Sequence, residues 1–166
     1  MPNAIGFSLR LGENTTYCYV FRHTQTLPEF KRTDRNILIF NWTHSEYDFG
    51  YPLEISSSIY RTQQIQSLLH QFYFNGPNQM ESGLFTRSFR FKSSHPILLC
   101  YQKSVAFSIP VNKVQSLVPN RSGENYEYSK ENLALKFDDG YRMAIEDLND
   151  FIPHSCHQEV AINFRI

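Results

Sequence analysis

Two polar side chains interrupt otherwise apolar strand patterns, and any chemistry in this chain would begin with them. Phe85, Arg87, Phe89 and Phe91 stand at alternate positions. On an extended strand this spacing puts the Arg87 guanidinium on an apolar face between phenylalanines. A guanidinium buried there needs an internal carboxylate or a bound anion. The other face carries Thr86, Ser88, Arg90 and Lys92, and rings interleaved with cations are one way of holding single-stranded nucleic acid. His23 likewise extends the face of Tyr17, Tyr19 and Phe21, and a polar group ending an inward-facing strand can line the mouth of a barrel or cleft. Arg87, Arg90, Lys92 and His23 are therefore the candidate anion- or nucleic-acid-binding residues. The plainer reading is an amphipathic strand with a solvated basic face, and a satisfied histidine at a strand end.

Metal chemistry has weaker material. His44, Glu46 and Asp48 alternate after Trp42, so an extended segment would point all three ligand types one way, as a divalent cation requires. The Gly50-Tyr51-Pro52 that follows marks a loop instead. His154-Ser155-Cys156-His157 is the densest group of soft ligands, but a structural zinc site takes four, usually in two separated pairs. Glu29-Phe30-Lys31 carries the Glu-x-Lys half of a metal-dependent nuclease core, in a Pro-led loop with no clear partner aspartate. Asp138-Asp139-Gly140 reads as a turn. There is no Gly-x-Ser-x-Gly elbow and no Gly-x-x-x-x-Gly-Lys phosphate loop. The expectation is no metal, no cofactor and no catalytic set.

A different kind of signal comes from the one strong helix pattern, about 58–74. Ser56, Ser57 and Ser58 offer N-caps, Asn75-Gly76-Pro77 is a stop, and Ile65, Leu68, Leu69 and Phe72 form an apolar stripe. Its other side carries Gln63, Gln64, Gln66, Ser67, His70 and Gln71, with no charge among them. Interfaces deplete charge at their centres, so Gln63, Gln64, Gln66 and His70 are the candidate partner-binding residues.

The elements that must position these groups are mostly strands. Phe7-Leu9-Leu11, Tyr17-Tyr19-Phe21, Leu133-Leu135-Phe137 and Ile162-Phe164-Ile166 each alternate apolar with other residues, the period of a half-buried strand. Strands are expected near 5–11, 16–23, 36–42, 84–92, 96–102 and 104–110, with a hairpin through 133–145 and a last strand at 159–166. The fold class that follows is α+β: a strongly bent antiparallel sheet, or a partly closed barrel, with one long helix packed across it. A two-sheet sandwich is the alternative. With 166 residues, residues 1–166 are read as a single domain.

Composition narrows the partners. Sixteen basic residues balance sixteen acidic ones, against the positive excess usual in non-specific nucleic-acid binders. Three widely spaced cysteines do not make a disulfide framework. With no signal-peptide pattern and no apolar run near the ~20 residues of a membrane span, a soluble cytoplasmic chain is expected. The reading that ranks first is a non-enzymatic binding or adaptor protein acting through protein contacts. A nucleic-acid-binding module on the basic, aromatic strand is the alternative, and a metal-dependent enzyme comes third.

Overall fold

A computed structural model describes residues 1–113, 121–123 and 125–166. Its centre is a mixed five-stranded sheet built from β1 (Ala4–Ser8), β4 (Lys31–Arg32), β5 (Ile37–Asn41), β6 (Ser58–Tyr60) and β7 (Ile97–Tyr101), in the order β4-β5-β7-β1-β6. Between them in sequence lie β2 (Tyr17–Cys18) and β3 (His23–Thr24), a two-stranded pair of their own. A further pair joins β8 (Arg142–Met143) to β9 (Phe164–Arg165). Three α-helices are described: α1 (Thr62–Leu69), α2 (Pro77–Arg87) and α3 (Lys130–Asp138).

The strands expected at 36–42 and 96–102 form where the sheet is deepest. In β5 Leu38 and Phe40 are buried while Ile37 and Ile39 are half-buried, and Leu98 and Cys100 repeat this in β7. These side chains join Trp42, Phe49, Leu68 and Leu84 in one core, and Phe30, Phe40 and Phe49 meet edge-on. Each such side chain, fully buried, contributes about 1.5–3 kcal/mol. The Trp42 indole N–H donates to the His95 carbonyl at 2.8 Å, so the ring's polar edge is satisfied.

Several expectations need correction. The sheet is open, ending at β4 and β6, and β1 pairs with β7 in parallel, so it is neither a barrel nor wholly antiparallel. The segment 58–74 is not one long helix. Ser58, Ile59 and Tyr60 are held as an edge strand against Ser8, Phe7 and Gly6, and the helix begins only at Thr62. The stretch 84–92 is helical, not extended: α2 runs into a 3-10 turn at Ser88–Phe91. Gly76-Pro77 starts it, since proline at a first helical position loses no needed N–H. Leu84, Ser88 and Phe91 then follow helical spacing toward the core, while Phe85 and Phe89 remain exposed.

The hairpin expected over 133–145 is also a helix followed by a short strand. Ser129 caps α3 by accepting from the Asn132 N–H at 3.3 Å. Gly140 ends it at φ 90°, with its N–H on the Phe137 carbonyl and that of Tyr141 on Lys136. Asp139-Gly140 thus closes a helix rather than turning a hairpin. No strand forms at 104–110, and the last strand shrinks to Phe164–Arg165. The segment 111–118, whose sequence reads as a short turn of helix or a loop, lies largely outside the described residues.

Candidate functional site

The centre of the site begins with a charge placed where β1 ends. Arg10 follows β1 by two residues and is only 4% exposed. The chain after β7 crosses this end of the strand, Val105 and Ala106 both donating their N–H to the Leu9 carbonyl. Arg10 lines a cavity of about 920 Å³, ample for a small ligand. Opposite sides of that cavity come from α2, the Asp48–Tyr51 turn, the β2 strand and the segment through Ser108 and His157.

Arg10 is matched from behind by Glu54, 2% exposed, with Nε and Oε1 3.8 Å apart. Glu54 also accepts the Ser56 N–H at 2.7 Å, the Ser56 hydroxyl at 2.7 Å and the Ser57 N–H at 3.0 Å. Burial alone would raise its pKa. Arg10 and the hydroxyl and amide donors outweigh that and hold it below the usual 4.5. The guanidinium stays charged, yet its buried Nε has no hydrogen-bond partner.

His157 faces the same guanidinium. Arg10 Nη1 lies 3.4 Å from His157 Nε2. A guanidinium only donates, so Nε2 accepts and the ring proton sits on Nδ1. Burial first, then the charge of Arg10, lower the His157 pKa below its ordinary 6.5. The imidazole is neutral at neutral pH.

Two further carboxylates line the space. Asp48, 7% exposed, is gripped by Gln25, whose amide donates to Oδ2 at 3.1 Å and accepts the Asp48 N–H at 3.2 Å. Glu81 accepts the Ile55 N–H at 3.3 Å. Burial, followed by the charge and hydrogen bonding of Glu81, pushes the Tyr51 phenol above its ordinary pKa. Pro77, Asn78, Glu81, Ser82 and Phe85 show why α2 is a wall: their spacing puts them on one helix face, and all line the cavity. Phe85 stacks on Tyr51 with ring centroids 4.3 Å apart and 23° between planes. Phe85 remains 41% exposed, so the pair offers an apolar platform beside the polar floor.

On the far rim, the Arg121 guanidinium lies 3.7 Å over the Tyr19 ring and donates to the Tyr19 carbonyl at 3.0 Å. It also sits 3.6 Å from Glu159, which accepts the Tyr19 hydroxyl at 2.5 Å. Cys18 and Cys156 are buried, and burial raises both thiols above their ordinary pKa. Neither is an activated nucleophile.

The residues singled out from sequence are scattered around this centre. His23 is exposed and stacks on Tyr47 at 5.2 Å, and Tyr47 lines the cavity, so His23 backs its wall without entering it. Arg87 is on a helix, its guanidinium 4.4 Å over the Phe72 ring and Nη1 on the Gly83 carbonyl at 3.1 Å. It is satisfied by a ring and a carbonyl, with no carboxylate needed. Arg90 bonds Gln71 and Lys92 is exposed, both away from the cavity.

On α1, Gln63, Gln66 and His70 share an exposed face, whereas Gln64 turns inward to His95 Nε2 at 2.7 Å. His44 and Glu46 are exposed while Asp48 points inside. Among the described residues no group of three or more His, Cys, Asp or Glu side chains is placed to hold a metal ion. No helix among them is long and apolar enough to cross a membrane. Arg10, Glu54 and Glu81 carry the site and had no motif to announce them. The one available signal was Arg10 as a lone charge between Leu9 and Leu11.

No protein-family model matches the chain, and no solved structure matches it. One curated protein is similar: a bifunctional glycosyltransferase, pgtA, from Dictyostelium discoideum, 30% identical over 96 residues. The match takes in 48% of this chain and 12% of the relative, so the chain spans about one-eighth of that protein's length.

Proposed function

We propose that the cavity binds a carbohydrate and that the chain works as part of a sugar-transferring enzyme. The observation that carries this reading is the pairing of a stacked Tyr51–Phe85 platform with a floor of fixed, buried polar groups around Arg10. A pyranose has an apolar face and a rim of hydroxyls. The platform suits the first, while Arg10, Asp48, Glu81 and the serines that line the cavity suit the second. The similarity to a bifunctional glycosyltransferase supports the same class. Titration of simple methyl glycosides, followed by saturation-transfer NMR, tests it. Phe85→Ala removes a ring that lies outside the core cluster but stacks on Tyr51, so it is expected to weaken binding at least about fivefold with only a small loss of Tm. Equal binding by Phe85→Ala, or no saturation with any glycoside, overturns the reading.

A second reading, protein contact through α1, has its own support. Gln63, Gln66 and His70 form an exposed face without charge. Gln63→Glu with Gln66→Glu would weaken partner capture while sparing glycoside binding. Unchanged capture removes it.

A further inference from the structure

We propose that the cavity selects its sugar by charge, taking an amine-bearing glycoside ahead of a neutral one and excluding uronic acids. This rests on the carbohydrate reading and adds the ligand's charge to it.

The fixed charges decide the sign. Two cations reach the cavity, and each has a carboxylate of its own: Arg10 has Glu54 and Arg121 has Glu159. His157 adds no positive charge at neutral pH, because burial first and then its neighbour Arg10 keep the ring neutral. Asp48 and Glu81 also line the cavity, and among the described residues neither forms a salt bridge. Their hydrogen-bond partners are uncharged, the Gln25 amide for Asp48 and the Ile55 N–H for Glu81, and both share the field of Arg10 with Glu54 at longer range. The described lining itself carries two cations and two carboxylates, and with Glu54 and Glu159 standing behind it the described carboxylates outnumber those two cations by two.

A half-enclosed site strengthens that excess, since fewer waters screen it than on an open surface. An ammonium group brings three donors and one positive charge to such a wall. A uronate brings a second acceptor and like charge, and loses on both counts. Arg10 does not reverse this. Glu54 already opposes its charge from behind the wall, and Arg10 Nη1 is turned to the neutral His157 ring. The charge-bearing carbon of the sugar is then the one turned toward α2 and the Asp48 turn.

The test uses three probes on one scaffold: methyl glucosaminide, methyl glucoside and methyl glucuronide, titrated calorimetrically just below neutral pH, where most of the amine is protonated and the His157 ring is neutral. The glucosaminide is expected to bind about tenfold tighter than the glucoside, and the glucuronide not to saturate. The preference should shrink as salt rises. Glu81→Gln and Asp48→Asn, each confirmed folded by circular dichroism, should each narrow the gap between the first two probes. Glucuronide binding as tight as the others overturns the charge selection and leaves the carbohydrate reading standing. A gap that neither variant narrows also overturns it. Failure of all three probes to bind overturns both.

Discussion

The imidazole of His157 takes its hydrogen bond from a guanidinium 147 residues earlier in the chain, with Arg10 Nη1 and His157 Nε2 3.4 Å apart. Two things follow from so small a contact. The tautomer of His157 is set, leaving Nδ1–H as a donor. The end of β1 is also tied to the C-terminal segment, where Cys156 adds a second tie through its thiol to the Arg10 carbonyl at 3.5 Å.

His157 makes stability depend on pH in a defined direction. Burial and Arg10 hold its folded pKa below the ordinary 6.5, so below that value the unfolded chain binds protons that the folded one refuses. Stability contributed by the neutral ring is full above 6.5 and is lost as pH falls through the folded pKa. Urea unfolding across that range is expected to show falling stability on acidification. His157→Gln should flatten the slope, and an identical slope in the variant would remove His157 as its source.

Glu54 acts lower on the scale. Its folded pKa is depressed from 4.5, so its contribution is present above that value and disappears as pH drops through the folded pKa. Glu54→Gln takes the nearest carboxylate from a buried guanidinium and leaves only the more distant Asp48 and Glu81, at a cost of up to about 3–5 kcal/mol. Replacing both partners, Arg10→Met with Glu54→Leu, should recover part of that loss, because neither charge of the pair is then left buried, while the Ser56 and Ser57 donors still lose their acceptor. Denaturation midpoints of the three variants decide it, and a double variant as unstable as Glu54→Gln alone would contradict the pairing.

Gln25 grips Asp48 in both directions, donating to its carboxylate and accepting its N–H. Gln25→Leu leaves the Asp48 carboxylate and N–H short of partners in a buried place. It is expected to cost about 1–3 kcal/mol and to weaken glycoside binding, since Asp48 lines the cavity. Full stability in thermal melts would show that water replaces the amide.

What the sequence made legible depended on which neighbour supplied the burial. In β5 and β7 both strand neighbours are present, and the strands expected at 36–42 and 96–102 form. Residues 37–40 and 97–101 are apolar throughout, so which of them are buried (Leu38, Phe40, Leu98 and Cys100) was set by the sheet and not by the alternation read elsewhere. At Leu84–Lys92 the same alternation coexists with a helical stripe, and periodicity alone does not choose between them. Proline at the helix start and a pocket for Leu84 did. In α3 the alternating Leu135 and Phe137 are 62% and 60% exposed, so that pattern was not a core pattern at all. The principle that a lone guanidinium on an apolar strand needs a partner was sound, but it belongs to Arg10. Arg87 met its need with a ring on its own side of the fold. Glu54 and Glu81 are brought to Arg10 by long-range folding, and no local spacing encodes that.

The placement of α2 gives the last prediction, because that helix carries both Glu81 and Phe85. A methyl group at Gly83 would come within 2.1 Å of the Phe72 ring, the ring over which Arg87 also lies. Gly83→Ala therefore forces Phe72 or the helix to move, at about 1–3 kcal/mol for such overpacking. Phe72→Leu vacates the space, so the double variant should be less destabilised than the sum of the two singles. Gly140→Ala provides the contrast. Its cost comes from the left-handed φ of 90° with nothing nearby to clash, about 1 kcal/mol. Both single variants lower Tm, but only Gly83→Ala displaces the cavity wall and should weaken glycoside binding when measured well below Tm. Equal affinity in the two variants would mean that the packing of Phe72 on α2 does not set the position of Glu81 and Phe85.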